Sequence, residues 1–213
     1  MKLNSHTIIT GKTNSGKTTL ALKFFEEDKR LSIFINTQLQ YIKGVKEIDL
    51  KDLDIRKLAE NKKLSVIPTE DNNLNNQLLL KFTKEIFSLG LYKFPKYRPD
   101  NPIISIYVDE AHEFSLKNTI RKEDYINSLE RIAKRGLRFG VRQILITQQP
   151  SDLNLTLLRQ AENHFIFSIN KYELEYYKNK GLNLIDDYEY IQQPYYFIMF
   201  DGITFKRFKP IKL

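Results

Sequence analysis

The chain has 213 residues and a formal net charge of +8, with 41% apolar and 28% charged residues. That length holds one sizeable core but not two full enzymatic domains, and the composition is that of a globular chain rather than a disordered one. No apolar run approaches the roughly 20 residues of a membrane-spanning helix, and the absence of cysteine removes disulfides, thiolate metal sites and sulfur nucleophiles. The opening "MKLNSHTIITGK" reads as a strand entering a loop rather than a signal peptide. A soluble, intracellular protein is expected, and its basic charge suggests an anionic partner.

In chain order, "HTIIT" (6–10) reads as a buried strand and "GKTNSGKT" (11–18) as a glycine-rich loop. Apolar spacing at Leu20, Leu22, Phe24 and Phe25 predicts a helix over 18–28. "LSIFIN" (31–36) is a second strand, residues 37–62 an edge element or an inserted loop, and "KLSVIP" (63–68) a third strand closed by Pro68. A helix over 74–90 is expected to stop at Gly90. After a turn at "RPDNP" (98–102), "IISIYVDE" (103–110) has the β-branched, nearly continuous apolar run of a central parallel strand. Then come a helix over 125–136 stopped by Gly136, a strand over 141–148, a short helix over 152–161, a strand over 164–169 and a helix over 171–181. Residues 195–208 read as a hairpin across a two-residue Asp-Gly turn. Strands and helices alternate, which predicts α/β architecture with a mainly parallel sheet covered on both faces. One domain is expected over 1–213, with a core over about 6–181 and the hairpin and tail over about 190–213.

The loop fits G-x-x-x-x-G-K-[ST] at Gly11, Gly16, Lys17 and Thr18. Glycines let backbone N–H groups turn inward around phosphate, Lys17 is suited to the β- and γ-phosphates, and Thr18 Oγ1 to Mg²⁺. A strand before the loop and a helix after it supply the expected context. The nucleotide-binding set is therefore Gly11, Lys12, Thr13, Asn14, Ser15, Gly16, Lys17, Thr18 and Thr19. Such a loop requires a carboxylate on the metal side. Asp109, at the end of an apolar strand, falls at the sheet's carboxyl edge and is assigned to the Mg²⁺ side. Glu110, one residue on, is the natural general base for an attacking water. His112 is left outside the chemistry.

Asp109-Glu110-Ala111-His112 spells the box that names a class of helicases. Those helicases need a second such domain and a downstream Ser-Ala-Thr, neither of which is legible here. The downstream stretch instead reads "ILITQQPSDLNLTLLRQAENHFIFSI" (144–169). A strand ending Thr147-Gln148-Gln149-Pro150, then a short helix and a strand, resembles the FtsK–HerA superfamily of DNA-pumping ATPases. So does "RIAKRGLRFGVRQ" (131–143), which is similar to that family's arginine-bearing helix and Gly-Val strand entry. The resemblance covers roughly residues 6–170. Leu137 departs from it, standing where arginine is frequent.

The resemblance implies a RecA-like P-loop core that hydrolyses ATP with Mg²⁺ in a homo-oligomeric, hexameric ring with double-stranded DNA in its channel. The bare domain looks most like the genome-packaging ATPases of membrane-containing double-stranded DNA viruses of the turreted archaeal type. That likeness implies a place in the host cytoplasm or at the virion's packaging vertex, with a capsid or viral membrane protein as a further partner and no membrane insertion. Gln148, at the tip of the strand beside the loop, can contact the γ-phosphate or the attacking water. Arg135 and Arg138, with Arg131 in reserve, are candidates for an arginine reaching a neighbour's site. Eight basic and three acidic residues between Phe114 and Leu145 make that segment a candidate DNA contact, along with "KYRP" (96–99). The tail "KRFKPIKL" (206–213) is a candidate for docking to a capsid. A protein secretion or assembly motor is the alternative reading.

Overall fold

The computed structural model describes residues 3–93, 102–115 and 127–211. The chain runs through β1 (Thr7–Thr10), α1 (Lys17–Glu27), β2 (Leu31–Ile35), β3 (Lys46–Asp49), α2 (Ile55–Asn61), β4 (Lys63–Ile67) and α3 (Asn72–Lys93). It continues through β5 (Ile104–Val108), α4 (Ser128–Arg135), β6 (Val141–Thr147), α5 (Leu155–Gln160), β7 (Asn163–Ile166), α6 (Lys171–Asn179), α7 (Tyr188–Ile191), β8 (Phe197–Phe200) and β9 (Phe205–Phe208).

The described strands form one sheet in the order β3-β4-β2-β5-β6-β1-β7-β8-β9. Pairing is parallel from β3 to β7 and antiparallel from β7 to β8 and from β8 to β9. Every residue of β1, β5 and β6 is buried, as a parallel sheet covered on both faces requires. Alternate side chains feed two cores. Ile8, Ile106 and Leu145 pack with α2 to α5 on one face, and Ile9, Tyr107 and Ile144 pack with Leu20, Ala21 and Phe25 of α1 on the other.

The helices begin where side chains can take up free backbone N–H groups. Asp54 caps α2, Asn127 caps α4 and Asn170 caps α6, each accepting a backbone N–H three residues on. One buried ion pair ties the layers together. Arg142 Nη2 on β6 lies 2.6 Å from Asp28 Oδ2 at the end of α1, and the guanidinium also donates to Ser105 Oγ and to the Leu3 carbonyl. Burial raises the Asp28 pKa, but hydrogen bonds and the Arg142 charge overcome it and bring the group to about 2.

One sequence expectation is refined and two are corrected. Residues 37–62 hold both an exposed edge strand, β3, and the short helix α2. Helix α3 runs through Gly90 to Lys93. An interior glycine costs a helix about 1 kcal/mol without ending it, and the stronger stop in the sequence is Pro95, which disfavours helical backbone at its predecessor. The hairpin loop has four residues, 201–204, because Asp201 Oδ1 accepts the backbone N–H groups of Ile203 and Thr204 and builds a wider turn. Most of the expected 98–102 turn lies outside the described residues.

Two histidines are buried: burial pushes both His6 and His164 down to about 4. The Gln143 backbone N–H donates to His6 Nδ1 at 3.1 Å, an arrangement open only to the neutral ring. In the unfolded chain each titrates near 6.5, so the unfolded state binds more protons between about 6.5 and 4. The stabilisation is complete above that window and lost as pH falls through it. The urea midpoint should therefore drop steeply from pH 7 to pH 5, and His6→Asn should remove roughly half of that slope. A midpoint flat over this range would contradict the assignment.

Candidate nucleotide-binding and catalytic site

Strand β6 lies between β1 and β5. The loop after β1, Asp109 and Glu110 after β5, and Gln148 after β6 therefore meet at one carboxyl edge, where open parallel sheets bind ligands.

The loop's shape depends on small residues. A Cβ at Gly11 would stand 2.6 Å from Phe167 Cβ, and Gly16 has a φ of +102° that a side chain would strain. Asn14 takes the left-handed region at φ 60°, which asparagine tolerates. Helix α1 starts at Lys17, so Thr18 and Thr19 stand in its first turn, where backbone N–H groups face an anion. Lys17 is 6% exposed, and its Nζ donates to the Lys12 carbonyl at 2.8 Å. Burial lowers its pKa, against the opposing charges of Glu110 and Asp109.

Asp109 is buried and accepts from Thr37 Oγ1 at 3.3 Å through Oδ2. Burial, and then the Glu110 charge, push it up to about 6. Glu110 is 7% exposed and occupies the left-handed region at φ 45°, which is uncommon for a side chain of its size and marks a strained turn at the strand end. Its Oε1 accepts from Gln148 Nε2 at 2.5 Å and from Gln38 Nε2 at 3.0 Å. Gln148 Oε1 in turn accepts from Thr13 Oγ1 at 2.6 Å. A continuous path thus runs from the loop through Gln148 to Glu110.

Buried polar atoms normally have partners. Among the described residues, Ser15 Oγ, Asp109 Oδ1 and Glu110 Oε2 are buried without a hydrogen bond, and all three belong to this site. The orphaned Asp109 oxygen and the Thr18 hydroxyl are the hard oxygen donors that Mg²⁺ prefers, and Mg²⁺ takes only one or two carboxylates beside phosphate oxygens. The residues present fit that ion.

The arginines are not brought to this site. Arg135 and Arg138 are exposed and precede β6, so the seven-residue strand separates them from Gln148 by about 20 Å. Arg131 Cζ lies 5.7 Å from the Phe87 ring centroid, in a local packing role. Arg142, counted in the basic segment, is buried against Asp28 rather than displayed. Lys117, Arg121, Lys122 and "KYRP" lie outside the described residues. In the tail, Arg207 Nε lies 2.7 Å from Asp187 Oδ1 and Lys206 Nζ lies 3.0 Å from Asp201 Oδ2, so both charges are engaged within the chain.

Two site residues, Thr37 and Gln38, escaped the sequence reading, and His112, left outside the chemistry there, lies beside Glu110. Thr37 and Gln38 come after β2, whose neighbour is β5, and His112 Nδ1 lies 3.1 Å from Thr147 Oγ1 and 3.5 Å from Glu110 Oε2. The available signal was the polar "NTQ" directly after the apolar "SIFI".

No family model matches the chain. It is 38% identical over 87 residues to the probable helicase MJECL08 of Methanocaldococcus jannaschii, a match covering 38% of this chain and 16% of that protein. It is 36% identical over 90 residues to the DNA double-strand break repair helicase HerA of Saccharolobus solfataricus, covering 40% of this chain and 17% of the relative. The chain thus matches about one sixth of the length of these curated relatives. Its structure is similar to that of the genome packaging NTPase B204 from Sulfolobus turreted icosahedral virus 2, solved with AMPPCP, with a TM-score of 0.73, 18% identity and 98% of each chain covered. The chain has the fold of that NTPase, and over about 90 residues its sequence is similar to a HerA helicase.

Lys17→Ala should weaken ATP binding at least about tenfold, since it removes a buried charge aimed at phosphate. Calorimetry gives the answer directly, and unchanged affinity would overturn the phosphate-loop assignment.

Proposed function

We propose that the chain is an ATP-hydrolysing translocase that packages double-stranded viral DNA into a capsid, working as a hexameric ring. The observation that carries this reading is the Thr13–Gln148–Glu110 path, which couples the phosphate loop to a buried carboxylate through the strand between them. The likeness in fold to B204 over 98% of both chains supports the packaging role, and the match to HerA supports DNA as the cargo.

In this reading the loop 11–19 holds the triphosphate, and Lys17 lies against its β- and γ-phosphates. Thr18 and Asp109 hold Mg²⁺, which when bound neutralises charge on the phosphates. Glu110 orients water and accepts its proton as that water attacks the γ-phosphate. Gln148 is hydrogen-bonded to that carboxylate and so is placed to sense the γ-phosphate. Arg135 and Arg138 lie too far away to serve their own site. They suit a neighbour's, where an arginine stabilises the transferring phosphoryl group. A closed ring puts each site at a subunit boundary. DNA contacts are Lys and Arg to phosphate, independent of sequence and weakened by salt. The place of action is the host cytoplasm or the virion's packaging vertex, with a capsid or viral membrane protein as the docking partner.

ATP turnover with linear duplex DNA at low salt tests the cargo. Severalfold stimulation by duplex, smaller with single strands and lost as salt rises, is expected. A flat response to every DNA would overturn the translocase reading and favour a protein cargo.

Glu110→Gln should keep ATP binding and lose about a hundredfold or more in turnover. Mixing it with Arg135→Ala protein should recover part of the activity, because some boundaries then pair an intact base with an intact arginine. Retained turnover in Glu110→Gln would mean another base, and no recovery on mixing would count against Arg135 acting in trans.

A further inference from the structure

We propose that Tyr195 is the nucleobase platform of this site, an aromatic face on which the base of a bound nucleoside triphosphate stacks. The inference rests on the reading of residues 11–19 as the phosphate loop.

Tyr195 is 54% exposed, although its ring lies against the loop. Its Cδ1 is 3.3 Å from the point where a Cβ on Gly16 would stand, and Phe167 Cε1 approaches the same point at 3.3 Å from the core. Phe167 is fully buried and fills the inner side of Gly16. Tyr195 leaves much of its surface open, so packing against Gly16 alone does not account for an aromatic side chain here. Its backbone has a φ of +65°, a region where a bulky side chain is an outlier. Such strain persists only where surrounding contacts impose it, and it gathers at ligand sites.

The chain three residues earlier is firmly held. Gln192 accepts through Oε1 from Lys12 Nζ at 3.3 Å and from Ser168 Oγ at 2.8 Å, and its Nε2 donates to the Ile169 carbonyl at 2.9 Å. The Lys12 backbone N–H donates to the Ser168 carbonyl at 2.6 Å. The segment after α7 is therefore fastened to the phosphate loop itself, 180 residues away in sequence.

The sheet fixes the direction of a bound nucleotide. Asp109, Glu110 and Gln148 lie on the β5–β6 side of β1, so the phosphoryl end that reacts faces that side. The nucleoside, at the other end of the phosphate chain, leaves toward β7 and β8. Tyr195 stands there, two residues before β8 begins. Stacking uses the ring face, which every base can meet, so the platform contributes affinity for the base more than a choice among bases.

The test separates the base from the phosphates by titrating the full chain with ATP and with inorganic tripolyphosphate. Tyr195→Ala should weaken ATP about tenfold and leave tripolyphosphate unchanged, while Tyr195→Phe keeps the parent affinity for both. The chain contains no tryptophan, so in Y195W the indole emission reports this position alone. ATP should quench it, and tripolyphosphate should not. The proposal is overturned if Tyr195→Ala binds ATP as tightly as the parent, if ATP and tripolyphosphate weaken together, or if ATP leaves the Y195W emission unchanged. A parent chain that binds neither compound would overturn the phosphate-loop reading and this proposal with it. A parent that binds both, with Tyr195→Ala unchanged, would remove only the platform.

Discussion

The placement of β6 between β1 and β5 is the constraint on which the site depends. Parallel pairing sets Thr10 opposite Thr147 and Val108 opposite Leu145. In that register Gly11 comes level with Gln148, and Glu110 with Thr147. Three chain segments far apart in sequence therefore release their polar residues at one height on one edge. Had β5 paired directly with β1, no side chain would stand between the loop and Glu110, and Gln148 could not touch both Thr13 and Glu110.

The same sheet explains how a buried arginine is accommodated. A strand buried on both faces leaves no room for a charge except as part of a pair. Arg142 satisfies this rule through Asp28, Ser105, Tyr107 and the Leu3 carbonyl. It shows why a count of basic residues is not a map of a basic surface: one of the eight cations between Phe114 and Leu145 serves the interior. Buried polar atoms without partners also occur at the carboxyl edge. Ser15, Asp109 and Glu110 each keep a buried polar atom without a hydrogen bond, the arrangement expected where charged ligands and metal ions are held.

Legibility in the sequence depends on how locally each feature is encoded. The phosphate loop and the Asp109-Glu110 strand end are contiguous, and each carries its own steric or chemical demand, so both were legible with their strands and helices. Gln148 was legible because it ends an apolar run. Gln38 was not, because only the neighbouring of β2 and β5, a tertiary fact, turns a polar residue after β2 into a ligand of Glu110. The edge strand β3 was hidden by its exposure, which removes the apolar alternation that marks a strand. Gly90 misled because a glycine is only a weak helix stop, whereas the Asp201 turn depends on a side chain folding back on its own backbone.

The geometry around Glu110 bears on how hydrolysis would be controlled. Oε1 already accepts from two amides, Gln148 and Gln38, so a water that approached this oxygen would compete with both. The other oxygen, Oε2, is buried without a hydrogen bond, so the two amides orient the carboxylate and leave one oxygen open to water. In the proposed reaction a γ-phosphate oxygen would be an alternative acceptor for Gln148 Nε2, and the residue's present partner Thr13 sits on the loop that would carry that phosphate. Gln38 answers to a different segment, the turn that carries the exposed Leu39 and Tyr41. Two hydrogen bonds on one oxygen therefore tie Glu110 to two separate segments, the phosphate loop by way of Gln148 and the turn after β2 by way of Gln38.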